Sequence, residues 1–277
     1  RLYLSLPESF AVLMVHALNP WGMAWARRCD QEGVDLNRNF VDFSRLSDRS
    51  RDYELLARCL IERDKEKRLE RFQQLQKQWG MKHYEKVVSG GQYHLPWAPF
   101  YGGIKPSPSN MLIEQLISLT DLADRELVVI DIHSGLGPFA HGELISDHPL
   151  NTKGNEYARD IFGGAIASTA EGASFSVPKE GLLDYRWHRM MQKRGCFLTL
   201  EFGSYGSDAL FDVILDDHLA WRQWQETYGK PESFPQKEYQ KNRAAMVNHF
   251  CPPERLWRES VLFKTAQLFN QVLWYFQ

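Results

Sequence analysis

The sequence has no long hydrophobic run. No apolar stretch reaches the roughly 18 residues that a membrane-spanning helix needs, so no membrane partner is expected. Nor is there an excess of charge of one sign. The chain carries 33 Lys and Arg against 35 Asp and Glu, a formal net charge of −2. That balance lacks the electrostatic footprint of a nucleic-acid binder or an acidic-membrane ligand. Cysteine is scarce, and Cys29, Cys59, Cys196 and Cys251 are scattered without a CxxC pair. They read as reduced, mostly buried thiols of an intracellular, cytoplasmic protein. There is no GxSxG, and "GSYGS" (Gly203–Ser207) is not a nucleophile elbow, which argues against a serine hydrolase. Internal repeats and low-complexity linkers are absent as well.

What is present is enough for one large core: 277 residues, 43% of them hydrophobic. A single domain over 1–277 is the expectation for an α/β chain of this size. The opening "RLYLSLPES" reads as the end of a helix and a loop, and the expectation is that an N-terminal part is missing. Three short apolar runs stand out: "FAVLMVHAL" (Phe10–Leu18), "ELVVIDIHSG" (Glu126–Gly135) and "CFLTLEFGS" (Cys196–Ser204). Each is nearly continuous rather than alternating, the pattern of central strands buried on both faces.

Helical spacing marks Asp52–Trp79, Asn110–Leu122 and Asn155–Ala170, and a C-terminal stripe of Val261, Leu268, Phe269, Val272 and Phe276. The charged run "ERDKEKRLER" interleaves acids and bases and reads as a solvated helix face. Ser89–Asn110 is a long Gly/Pro/aromatic loop, either a surface insertion or a functional loop. Strands alternating with helices predict an α/β fold: a mixed, mostly parallel sheet with helices on both faces. In such sheets ligands bind beyond the carboxyl ends of the strands.

Those ends carry polar residues. The first run ends in His16 and continues to Asn19-Pro20, the second ends in Asp131-Ile132-His133-Ser134-Gly135, and the third in Glu201-Phe202-Gly203. An imidazole is a common zinc ligand. A carboxylate leaving a buried strand is placed for a raised pKa and a general-base role. An arginine with amides, as in "VDLNRNF" (Val34–Phe40), can clamp a carboxylate.

The ordered set "NPWG…RR…VDLNRNF", "DIHSG" and "LEFGS" resembles the zinc carboxypeptidase superfamily, which includes the aspartoacylase and succinylglutamate desuccinylase branch. Within it, "VHALNPWG" and "VDLNRNF" resemble the domain-of-unknown-function 2817 family over nearly the whole chain. The resemblance implies a metallocarboxypeptidase-like catalytic domain holding one zinc ion. His133 would be the third metal ligand and Glu201 the residue that activates water. Asn37 and Arg38 would grip a substrate carboxylate, and Arg27 or Arg28 would steady the oxyanion; sequence does not choose between the two. Asp35 is read as orienting the turn. Asp131 is read as lying on the opposite strand face from His133, with a supporting role open only through strand twist. The implied substrate is a small peptide or an N-acyl amino acid with a free carboxylate.

Two departures qualify the resemblance. The superfamily's first two zinc ligands come from an HxxE motif before the "NPxG" strand, yet none of the fifteen residues before His16 forms one. "HGEL" (His141–Leu144) lies downstream and is not that motif. The expectation is a truncated enzyme whose remaining ligands lie upstream, because Glu201, His133 and both arginines are retained. The alternative is a non-catalytic pseudoenzyme that binds peptides or amino acids. The second departure is the mobile tyrosine of carboxypeptidases: "EGASFSVPKE" (Glu171–Glu180) has none, which leaves Tyr185 or His188, in or beside "GLLDY" (Gly181–Tyr185), as substitutes.

Overall fold

The computed structural model describes residue 6 and residues 10–46, 50–169 and 179–277. Its centre is a four-stranded sheet built from β1 (Leu127–Gly135), β2 (Gly142–Ser146), β3 (Ile166–Ser168) and β4 (Gly195–Gly203), in the order β1-β4-β2-β3. β1 runs parallel to β4 and β2 parallel to β3, while β2 and β4 are antiparallel. The expected mixed α/β sheet is therefore present.

β4 is buried almost throughout, which explains its continuous apolar sequence. Its side chains alternate between two cores, as the period-2 geometry of a strand requires. Cys196, Leu198, Leu200 and Phe202 pack with α6 (Lys153–Phe162) and α10 (Arg255–Tyr275) through Ala158, Ile161, Trp257 and Leu268. Phe197 points the other way, into Ile113 and Ile117 of α5 (Pro108–Leu119) and Leu183, Trp187 and Met191 of α7 (Leu183–Met191). Val261 and Val272 of the C-terminal stripe face the first core as expected.

A third core gathers α2 (Arg51–Leu60), α3 (Lys65–Trp79), α4 (Met81–Ser89) and Ile214 and Leu215 of α8 (Ser207–Tyr228). The stretch expected as one helix over Asp52–Trp79 is thus two. Asp64 accepts from the backbone N–H of Glu66 and Lys67 and starts a new helix, a capping preference that outweighs continued propensity. The helix expected over Asn155–Ala170 ends at Phe162, where Gly163 and Gly164 follow, and Ile166–Ser168 turns into β3; Ala170 lies outside the described residues.

The first apolar run does not become a strand. Phe10–Leu18 makes no ladder among the described residues, and Val12, Leu13, Met14 and Val15 are exposed. An apolar run is driven into a central strand only where cover exists on both faces. Among the described residues only its ends are covered: Phe10 meets Phe276 edge-on at 5.6 Å, and Leu18 joins Leu127 and Val129. Asn19 then caps α1 (Pro20–Trp25), its Oδ1 accepting from Gly22 N at 3.0 Å. Gly22 has no room for a side chain, since a Cβ would stand 2.7 Å from Arg27 O. "NPWG" is therefore a helix start, and His16 is exposed rather than at a strand end.

Candidate active site

The register of β1 and β4 sets the site. His133 is the parallel partner of Glu201, and Glu143 of β2 stands opposite Glu201 on its other side. These residues share one face of the sheet, the face that carries Phe197 deeper in. His133 Nδ1 lies 3.7 Å from Glu201 Oε2. The second imidazole nitrogen, Nε2, is 2.8 Å from Asp131 Oδ2. The reading that put Asp131 on the opposite face is corrected: residues two apart on a strand point the same way, and Asp131 orients the ring directly.

Glu201 is buried, and its Oε1 accepts from Leu136 N at 3.1 Å. Burial raises its pKa, opposed by His133, the Leu136 amide, Arg28 and Lys179. For His133, burial works against the charged form, but the Asp131 and Glu201 carboxylates outweigh it and push the pKa up to about 9. Burial likewise opposes the Asp131 anion, yet His133 holds that carboxyl below its ordinary range.

Chain geometry separates the two arginines. Arg27 Nε bonds Asp217 Oδ2 at 2.8 Å with both side chains 3% exposed, and its guanidinium sits 4.2 Å over the Trp221 ring. Asn242 Nδ2 donates to the other Asp217 oxygen at 2.9 Å. This is a buried structural pair. Arg28 turns the other way: its Nε meets Asp35 Oδ2 at 2.8 Å, its side chain is 27% exposed, and its charge acts on both His133 and Glu201.

"VDLNRNF" is a fastening point for several loops. Asp35 Oδ1 accepts from Asn37 N at 3.1 Å and starts the 3₁₀ turn Leu36–Arg38, which matches its expected role in orienting the turn. Asn37 Oδ1 accepts from Leu183 N at 2.8 Å and so docks the start of α7. Asn39, fully buried, donates through Nδ2 to Gly102 O at 2.7 Å and Lys105 O at 3.0 Å, and accepts from Ser107 N at 2.8 Å. Arg38 is 1% exposed. Its Nε and Nη2 donate to Ser89 O at 3.1 and 2.7 Å, and Nη1 donates to Asn37 O. The guanidinium expected to grip substrate is thus engaged with main-chain carbonyls, and burial lowers its pKa to about 10. The Ser89–Asn110 loop is an embedded wall: Tyr93, Ala98, Phe100 and Tyr101 are buried in it.

Tyr185 is half-buried, and its hydroxyl donates to Lys179 O at 2.9 Å. His188 stacks on His148 with ring centroids 3.7 Å apart. Of the stretch read for a missing tyrosine, residues 171–178 lie outside the described residues.

Sequence reasoning missed three participants. Lys179 feels Arg38, Asp147, Glu201 and Arg28; burial, then Arg38, pushes its pKa down to about 8. Glu143 was passed over inside "HGEL", because nothing local announces an antiparallel neighbour of β4. Asp184 is buried and hydrogen-bonded to Asp147, and burial and that neighbouring charge raise its pKa well above the carboxylate range. Its signal, an acid in the apolar "GLLDY", was visible but not used.

As a metal site the residues fit in part. His133 suits one ligand position, with Asp131 behind it as an orienting acid. Among the described residues, no group of three or more His, Cys, Asp and Glu is placed to hold an ion. None of the helices formed by the described residues is long and apolar enough to cross a membrane.

A search of curated proteins and a search of solved structures each found no match. A family model described as "Protein of unknown function (DUF2817)" matches residues 2–264, and the chain belongs to that family.

Proposed function

We propose that this chain is the catalytic part of a zinc-dependent amide hydrolase, of metallocarboxypeptidase or N-acyl-amino-acid deacylase type. Its substrate is a small peptide or N-acyl amino acid with a free carboxylate. The wider kinship with the zinc carboxypeptidase superfamily belongs to this proposal and is supported by the ordered motifs. The observation that carries it is the facing of His133 and Glu201 on parallel strands, 3.7 Å apart, beside Arg28.

In this reading Glu201 takes a proton from the attacking water and delivers it to the leaving amine nitrogen. Its raised pKa brings it nearer the working pH, where a general base is most effective. Leu136 N holds one carboxylate oxygen and leaves the other for that transfer. Arg28, fixed by Asp35, stabilises the oxyanion through a preorganised charge that costs no rearrangement during reaction. His133 would be one protein ligand of the zinc, whose chemistry is carbonyl polarisation and a lowered pKa for water. The other two ligands have no residues among those described.

A second reading, a non-catalytic binder of the same fold, is favoured by one fact: both His133 nitrogens face carboxylates. Zinc content and turnover of N-acyl amino acids and short peptides test the choice. Bound zinc with hydrolysis lost in Glu201→Gln supports the hydrolase; hydrolysis unchanged in that variant overturns it.

A further inference from the structure

Glu201 presents two oxygens, and each has its own neighbour. Oε2 lies 3.7 Å from His133 Nδ1, while Oε1 accepts from Leu136 N at 3.1 Å. The way the carboxylate is turned therefore depends on where the Gly135–Leu136 peptide stands. That peptide leaves β1 at its last residue, where the ladder that fixes His133 ends. Something other than the strand must hold it.

The far end of the loop is fastened to β4. Ala140 N donates to Gly203 O at 3.1 Å, and Gly203 N donates to His141 O at 2.9 Å. The near end is fastened to α9 (Gln236–Phe250). Ser134 Oγ donates to Phe250 O at 2.6 Å. Gly135, at φ +130°, lies against the same residue: a Cβ there would stand 3.4 Å from Phe250 Cε1 and 3.0 Å from Leu210 Cδ1 of α8. Glycine takes that conformation without strain. A second tether starts one residue back in α9. Ser204 Oγ is 3.1 Å from His249 Nε2 and 3.4 Å from Gly135 O, and Ser204 and His249 are both buried. Gly135 O and Leu136 N belong to one planar peptide, so a hold on the carbonyl also directs the N–H. The 2.6 Å bond is the stronger of the two tethers, since hydroxyl bonds are best at about 2.5–3.0 Å. Ser134 is not placed to touch substrate. It pairs with Phe202, whose ring lies in the opposite core, and so it points away from His133 and Glu201.

We infer that the end of α9 is a clamp on the proposed base: Ser134, Ser204 and His249 are positioning residues that set Leu136 N against Glu201 and so fix which carboxylate oxygen is left for proton transfer. What Glu201 does rests on the hydrolase reading; the hold on Leu136 N does not.

The test uses the 277-residue chain, isotope-labelled for nuclear magnetic resonance, and reads amide hydrogen exchange at Leu136 and Ala140. Ser134→Ala should speed exchange at Leu136 by about tenfold, the loss of one hydrogen bond's hold, and leave Ala140 unchanged. Ser134→Thr keeps the hydroxyl and should restore most of the protection. In Glu201→Ala, where Leu136 N has lost its acceptor, adding Ser134→Ala should change little. A merely structural tie would loosen Leu136 and Ala140 together. That result overturns the inference, as does unchanged exchange at Leu136. If Ser134→Ala does not fold, Ser204→Ala removes the other tether and is judged by the same two amides. With Glu201 as base, Ser134→Ala should also lower kcat by about tenfold or more at unchanged KM, because a misplaced base costs rate and not substrate binding. Full kcat alongside altered exchange overturns the positioning role. Failure of the hydrolase reading looks different: hydrolysis surviving in Glu201→Gln, with the Leu136 response to Ser134→Ala intact.

Discussion

Arg27 and Arg28 are chain neighbours with different partners: one is locked to Asp217 over the Trp221 ring, the other is held by Asp35 with its charge acting on His133 and Glu201. Their substitutions should therefore differ in turnover. Arg27→Ala leaves Asp217 buried without its charge partner and should cost about 3–5 kcal/mol of stability, measurable by denaturant unfolding. Arg28→Ala also strands a buried carboxylate, that of Asp35, and so should lose stability too; it alone should lower the kcat of the remaining folded protein by about a hundredfold or more, as loss of an oxyanion donor does. Equal kcat values in the two variants would contradict this division.

Glu201→Gln should lower amide hydrolysis by about 10²–10⁴-fold, the usual span of a general base. It should not weaken the fold. The wild-type carboxyl is buried with a raised pKa, and Leu136 N can donate equally to an amide oxygen. A melting temperature equal to or above wild type is expected, and a marked drop would show that the carboxylate is a structural anchor.

Asn39 is expected to be among the most sensitive polar positions. Its side chain accepts from Ser107 N and donates to Gly102 O and Lys105 O. Asn39→Ala strands several buried groups, each worth about 1–3 kcal/mol when unsatisfied. Unfolding should shift by about 3 kcal/mol or more, and limited proteolysis should open the chain between residues 89 and 107 first. Cleavage elsewhere would show that the loop does not depend on this residue.

The stacked pair His148 and His188 should make stability fall on acidification. Burial lowers both pKa values, to about 4 and about 3; for His188, the His148 and Arg189 charges add to it. Both rings are neutral in the folded state at pH 6, while the unfolded chain begins to bind protons below about 6.5. The stability they contribute is therefore present above that pH and is lost as pH falls toward the folded values. His188→Phe can keep the stacked contact and should flatten the dependence between pH 7 and pH 4.5. His148 is the poorer choice, since its Nε2 accepts from Phe197 N at 3.1 Å. An unchanged slope in His188→Phe would remove the pair from the explanation.

Much of the sheet was legible because β4 is buried on both faces and β1 is largely half-buried against it, and burial leaves a continuous apolar signature. The same rule misread Phe10–Leu18, where composition matched a central strand but the described residues cover only its ends. His133 and Glu201 were recoverable as polar residues at the ends of apolar runs. Lys179 and Glu143 were not, since each joins the site through a long-range approach that no local pattern encodes, whereas Asp184 stood out as an acid in an apolar segment and only its approach to Asp147 was hidden. Arg38 illustrates a different case: its residue type fits a carboxylate clamp, and only the path of the Ser89 carbonyl shows that its Nε and Nη2 are already engaged.

The spacing of His133 and Glu201 is inherited from the ladder in which Ile132 pairs with Leu200 and Ser134 with Phe202. A slip of one residue would bring Leu200 or Phe202 opposite the imidazole and turn the carboxylate toward the core occupied by Trp257 and Leu268. The alignment of His133 with Glu201 and the identity of the core are thus one property of this protein, with no intermediate setting between them. Attempts to retune the distance between base and imidazole by altering β1 or β4 should yield either the native spacing or a misfolded chain. Changes of substrate preference are better sought at Arg28, which lies outside the ladder.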